Sequence, residues 1–234
     1  MVIKFGPSGL GPVKDAISNL KEYNELGLRV CEIAFTYGIY IKDEKDMKDI
    51  KEASKKLDIR LSIHAPYWIN LNSKEKVKVE QSKKRILNCC EVGEKLGVNT
   101  IVFHAGFYRG MDEEETYENI KQAIIEMQEI IKKNKWQVKL APETMGKINV
   151  FGSVEQIARL VKETGCCFCL DFAHILARYK KVDYEKIAKL FPQKKWHCHF
   201  SGIEYGEKGE KKHLKTPIKA WKELLKNLPK DKIL

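Results

Sequence analysis

CCFCLD, residues 166–171, is the most apolar run of the chain, and it ends in an aspartate that begins the motif DFAH (171–174). Four other runs are built alike: RLSIH (60–64), TIVFH (100–104), VKLAPE (138–143) and WHCHF (196–200). Each is short, apolar and β-prone, and each follows a longer helical pattern. Each also carries a metal-ligand type of residue at or near its C-terminal end: His64, His104, Glu143, Asp171 and His199. Strands alternating with helices read as a parallel sheet with right-handed crossovers. In a closed (β/α) barrel the C-terminal strand ends share the face that bears the active site. The expectation is an α/β fold, a TIM (β/α) barrel, with five scattered positions converging on one pocket suited to zinc or a similar cation.

Working outward, VIKFG (2–6) and RVCEIAF (29–35) read as the first two strands, and KIL (232–234) reads as the start of an eighth. Amphipathic stretches at 43–57, 74–96, 113–133, 153–164, 183–190 and 217–227 read as helices, several stopped by glycine or proline signals such as LGV (96–98), TG (164–165) and FP (191–192). The chain therefore reads as one barrel domain over 1–234, with seven strands and the start of an eighth. Open edges are expected on the first and seventh strands, so the chain is expected to be a shortened form or to close its barrel poorly. GPSGLG (6–11) has neither of the glycine spacings that cradle nucleotide phosphates, which argues against a nucleotide cofactor.

The chain is 43% hydrophobic and 32% charged, a soluble globular balance. No apolar run approaches the roughly 20 residues of a membrane span, and the N-terminus lacks a signal-peptide core. A cytoplasmic monomer without a membrane partner is expected. The formal charge of +11 favours a polyanionic partner. That signal is carried almost entirely by lysine, which solubility also favours. The seven cysteines lie mostly in apolar runs without paired CxxC knuckles, so they read as buried, reduced thiols.

Taken singly, a histidine at a strand end is more often a core residue than a ligand. Small residues follow His64 (Ala65, Pro66) and His104 (Ala105, Gly106), leaving room beside both imidazoles. Glu143 reads either as a loop carboxylate or as one that bridges two cations. Asp171 reads as a helix cap, or with His174 as an i, i+3 pair reaching one pocket. His197 and His199 share one face of their strand, His197 one layer deeper. His213, in the charged stretch EKKHL, reads alone as an exposed loop histidine. Together these residues place a polar cluster on one rim of an apolar scaffold, where buried charge must be paired or metal-bound.

The blocks SIHAPYWINL, IVFHAG, LAPETMG, CLDFAHILA and HCHFSGIE…KKHL resemble endonuclease IV, the zinc-dependent AP endonuclease family, over nearly the whole chain. The resemblance implies a TIM barrel that cleaves double-stranded DNA on the 5′ side of abasic sites with two to three zinc ions, manganese being the alternative metal. It implies that His64, His104 and Glu143 hold one ion and that Glu143, the catalytic bridging carboxylate, shares a second with Asp171 and His199. His174 and His213 hold the third. Tyr67 matches a position that helps open the DNA, and Trp68 would act as a wedge. The sequence departs from the family pattern in three places. Lys211-Lys212-His213 stands where the family has Asp-x-His, with Glu210 as a substitute; no strand-eight glutamate follows KIL; and FTYGIYIKDEKD (35–46) lacks the basic, glutamine-containing probing loop. With two carboxylates missing, fewer than three ions and weak cleavage are expected. A sugar isomerase or epimerase of the xylose-isomerase-like barrels also suits Glu143, Asp171 and His199, and the missing carboxylates suit a metal-poor relative that binds nucleic acid without cutting it.

Overall fold

Alternating strands and helices wind into a TIM barrel in the computed structural model, which describes residues 3–233. The elements in order are α1 (Ala16–Glu25), β1 (Val30–Ala34), α2 (Glu44–Lys56), β2 (Arg60–His64), α3 (Lys76–Leu96), β3 (Thr100–Phe103), α4 (Glu113–Lys133), β4 (Lys139–Pro142) and α5 (Val154–Thr164). Then follow β5 (Cys169–Asp171), α6 (Phe172–Tyr179), α7 (Tyr184–Leu190), β6 (His197–His199), β7 (Gly202–Gly206), β8 (Gly209–Leu214) and α8 (Ile218–Asn227).

Local chemistry sets the helix bounds. Asp43 and Asp112 each accept two backbone N–H groups at the starts of α2 and α4. Ser153 and Gln156 form a capping box at α5. Gly97 and Gly165 end α3 and α5 at positive φ, where a side chain would be strained.

Strands β1 to β4 form one parallel sheet in sequential order. A parallel bridge from Glu143 to Cys169 carries the ladder to β5, which pairs with β6. Residues on the helix-facing side, such as Ile33, Ile63, Ile101, Phe103 and Leu170, join the main apolar core. The alternate positions Val102, Ala141 and Cys169 form a separate small cluster. This is the period-two alternation of a barrel wall, with one set turned to the helices and the other to the interior. Five of the seven cysteines are fully buried, and burial pushes the Cys89 thiol up to about 12 and Cys166 to about 11.

Three expectations need correction. Of VIKFG (2–6), Val2 lies outside the described residues and 3–6 form no regular strand. The chain instead tracks β1 through Phe5, Pro7, Ser8 and Gly9, bonding the backbone of Arg29, Val30 and Glu32. Pro7 donates no N–H, and Gly6 passes so near β1 that a Cβ there would lie 1.5 Å from the Val30 carbonyl oxygen. A second correction concerns EKKHL, which is not a loop: β7 and β8 make an antiparallel hairpin with Gly209 in its turn at φ +92°. Third, only 169–171 of CCFCLD carry strand pairing to β6. At the far end Ile233 bridges Lys195 in parallel, as the reading of KIL requires, while Leu234 lies outside the described residues. Trp221 of α8 links the N-terminal segment to the end of β6, its ring packing on Phe5 (5.0 Å) and Phe200 (5.5 Å).

The hairpin is docked through Gly209, where a Cβ would lie 2.1 Å from the Gly146 carbonyl oxygen. Gly209→Ala is expected to lower the unfolding free energy by about 1–3 kcal/mol through left-handed strain and steric displacement. Urea denaturation measures this, and an unchanged midpoint would show that the hairpin is not held at this point.

Candidate metal centre

Strand register brings the polar residues to one rim. His64, Asp171 and His199 are the last residues of β2, β5 and β6, and His104 and Glu143 directly follow β3 and β4. Glu143 sits at the middle, only 2% exposed. Its Oε2 faces His64 Nε2 at 3.1 Å and His104 Nε2 at 3.2 Å. Its Oε1 faces His199 Nδ1 at 3.1 Å and His174 Nδ1 at 3.4 Å.

Asp171 has two roles at once. Its Oδ1 accepts the His174 backbone N–H (2.8 Å) and so caps α6, while Oδ2 lies 3.7 Å from His174 Nδ1. The cap and the approach to His174 coexist because α6 starts at Phe172 with no intervening loop. The β7–β8 hairpin returns His213 to the rim, with Nε2 3.1 Å from His174 Nε2. It also brings Glu210, whose Oε2 is 3.5 Å from His174 Nε2. The residue considered as a substitute carboxylate therefore reaches the site.

Donor atoms gather in overlapping groups within 4.8 Å: three at the rim, His64, His104 and Glu143; Glu143, Asp171 and His199; Asp171, His174 and His213; and a fourth that reaches one layer down, Cys169, His197 and His199. Two donors around a tetrahedral zinc at its usual bond lengths are about 3.3 Å apart. The His–Glu143 distances of 3.1–3.2 Å match that spacing. Mixed imidazole and carboxylate donors suit zinc or manganese.

Several rings are held from behind. His64 Nδ1–H donates to the Ala65 carbonyl (2.8 Å) and His174 Nδ1–H to the Thr144 carbonyl (2.9 Å). His213 Nδ1 meets Ser201 Oγ at 2.6 Å. Such partners fix which nitrogen faces the site.

One central residue carried no flag in the sequence reading. Glu32 of β1 is 6% exposed, and its Oε2 faces His199 Nε2 (3.1 Å), His197 Nε2 (3.3 Å) and Ser62 Oγ (3.3 Å). The signal was present: a lone charge inside the apolar run RVCEIAF, on the interior-facing alternation. His197 lies in register with Cys169, one layer below the rim.

The cluster perturbs its own protonation. Burial works against the Glu143 carboxylate, yet the charge of His199 and hydrogen bonds from His104, His174 and His199 hold it well below the usual carboxylate range. Burial also works against His174, but Asp171 and Glu143 push it up to about 10. His104 is lowered, because burial there outweighs Glu143.

At the mouth, Tyr67 stacks on the His104 ring (5.4 Å, 20°) and stays 49% exposed, and Trp68 beside it is 66% exposed. No helix among the described residues is long and apolar enough to cross a membrane.

Known proteins resemble this chain to different degrees. The uncharacterized protein MJ0133 of Methanocaldococcus jannaschii is 36% identical over 228 residues, covering 92% of this chain and 82% of that protein. A probable endonuclease 4 of Carboxydothermus hydrogenoformans is 29% identical over 62% of this chain, which spans about half (53%) of its length. Among solved structures, SacUVDE superposes with a TM-score of 0.71 at 16% identity, over 94% of this chain and 80% of that one. Endonuclease IV of Thermus thermophilus gives 0.67 at 20% identity, over 99% and 88%. D-psicose 3-epimerase gives 0.67 at 16%, over 93% and 77%. At such identities the structures speak for the fold, and the family described as xylose isomerase-like TIM barrel matches residues 20–230, so the chain belongs to that family.

Proposed function

We propose that this barrel is a divalent-metal-dependent phosphodiesterase of the endonuclease IV type, which cuts duplex DNA at abasic sites. The observation that carries the reading is the set of three overlapping donor groups around one buried carboxylate, with His64, His104, His174 and His213 in addition to Glu143, Asp171 and His199. The ketose isomerase or epimerase reading accounts only for the last three. Similarity to probable endonuclease 4 sequences and the charge of +11 support the same choice.

The residues would act as follows. His64, His104 and Glu143 would hold one cation, Glu143, Asp171 and His199 a second, and Asp171, His174 and His213 with Glu210 a third. Bound divalent cations would supply charge neutralisation at the phosphate and a more acidic water. Glu143 shares its two oxygens between the first two groups and so fixes their spacing. Tyr67, braced on His104, and exposed Trp68 present ring faces to an unstacked nucleotide, a contact worth about 1–3 kcal/mol per base. The lysine-rich surface would track the flanking backbone.

Four outcomes check this. Zinc content and nicking of an abasic duplex, measured beside turnover of a ketose, separate the nuclease, the sugar enzyme and a metal-poor binder, and ketose turnover without nicking would overturn the proposal. Glu143→Gln is expected to lower nicking by more than about 100-fold, since loss of a ligand exceeds the effect of an outer partner. Near wild-type nicking by that variant would remove the bridging role. Duplex affinity is expected to fall at least about 10-fold between 50 and 200 mM salt as phosphate contacts are screened. Salt-indifferent binding would point to an uncharged substrate.

The fourth outcome concerns pH. His174 is raised from its ordinary value to about 10, so in metal-free protein its stabilising contribution is complete below pH ~6.5 and lost as pH rises through about 10. Glu143 is depressed, so its contribution is complete above pH ~4.5 and lost only in acid. Metal-free protein is therefore expected to lose melting temperature between pH 7 and 10. Zinc binding over that range is expected to release protons and to tighten with pH, as calorimetry in buffers of different ionisation enthalpy would read. Zinc uptake without proton release would contradict the assigned donors.

A further inference from the structure

His199 differs from the other rim histidines in how it is oriented. His64 and His213 turn Nδ1 toward a neutral partner, the carbonyl of Ala65 and the hydroxyl of Ser201, and present Nε2 to the site, whereas His174 shares its Nδ1 between the Thr144 carbonyl (2.9 Å) and the carboxylates of Glu143 (3.4 Å) and Asp171 (3.7 Å). His199 is reversed: Nδ1 faces Glu143 Oε1 at 3.1 Å, and Nε2 points down into the barrel at Glu32 Oε2, also 3.1 Å away. Its rear partner is the carboxylate of a side chain more than nine-tenths buried.

Glu32 is itself held from two other sides. Ser62 Oγ donates to Oε2 at 3.3 Å and His197 Nε2 lies 3.3 Å from the same oxygen. Its second oxygen, Oε1, is buried without a hydrogen-bond partner. A buried, half-satisfied carboxylate costs stability unless it serves a charged partner. The neighbours that donate to it are the two β6 histidines and a serine, and of these only His199 also faces the rim groups. The polar layer of Glu32, Ser62 and His197 therefore ends at one ring.

From this we infer that Glu32 is a positioning residue for the candidate metal centre: it accepts the His199 Nε2–H, so that the Nδ1 lone pair is aimed at the group formed with Glu143 and Asp171. The inference rests on a cation occupying that group and is independent of which substrate is turned over. A carboxylate behind a ligating imidazole fixes tautomer and ring angle and raises donor strength, and losing it typically weakens metal binding about 10–100-fold.

The test measures zinc binding by competition with a chromophoric chelator in wild type, Glu32→Gln, His199→Ala and the double variant, with circular dichroism to verify folding. Glu32→Gln is expected to weaken one zinc by about 10–100-fold, leaving the number bound at saturation unchanged. In the His199→Ala background the same change is expected to add nothing, because the two act through one ring. Nitrogen-15 NMR of zinc-loaded wild type is expected to show His199 protonated at Nε2 and metal-bound at Nδ1, a result that does not depend on any variant folding. Zinc affinity of Glu32→Gln within twofold of wild type would overturn the inference. So would the loss of one zinc at saturation, which would make Glu32 a ligand, or a His199 ring protonated at Nδ1. If His199→Ala binds as many zinc ions as tightly as wild type, the metal reading of that group fails first, and the inference with it.

Discussion

The Glu143 carboxylate is the constraint on which the mouth of the barrel depends. Four imidazoles, from residues ending or following β2, β3 and β6 and from the first turn of α6, lie 3.1–3.4 Å from its two oxygens. A charge this deeply buried costs several kcal/mol unless compensated, and the compensation must come from several directions. Four segments distant in sequence are thereby held to one centre. The apolar wall below, with Val102 and Ala141 in the interior, supplies rigidity but no direction. The carboxylate supplies the direction.

Much of this was legible before any coordinates. Residues that end parallel strands must share a face, so His64, His104, Glu143, Asp171 and His199 could be placed together from the run pattern alone. The helix from 113 to 133 was readable to the residue because Asp112 caps it and its apolar positions repeat at helical spacing. Glu32 was not read, because a strand-end rule looks at the last residue, whereas the interior has more than one layer. The hairpin was missed because its lysine-rich outer face hides the alternation of β8, and only Gly206 and Gly209 mark its turn. The first strand was over-read because β-prone residues at 2–6 say nothing of how close β1 must pass. Gly6 is there for that approach.

The same barrel carries epimerases and nucleases, so the fold leaves the chemistry open. On this chain an additional tier of side chains surrounds Glu143, Asp171 and His199. His64 and His104 extend it to one side, and His174, His213 and Glu210 to the other. Two further acidic groups face these imidazoles, Glu210 from the hairpin and Glu32 from β1. An electrostatic site responds to charge and distance, not to chain order. Carboxylates on different elements can therefore serve the same cluster of imidazoles.

Asp171 caps α6 with one oxygen and faces His174 with the other, and strand passes into helix there without a single loop residue. For any cation held there, the consequence would be selectivity by size. A site whose donors hang on flexible loops can expand to wrap a large ion, whereas one anchored at a helix cap has little room to breathe. Calcium asks for 6–8 oxygens at about 2.3–2.6 Å, and small, nitrogen-loving ions need fewer donors held closer. If the rim holds a cation, imidazoles locked by backbone carbonyls, a hydroxyl and a helix start would discriminate against calcium by their stiffness, before the affinity of any one donor is counted.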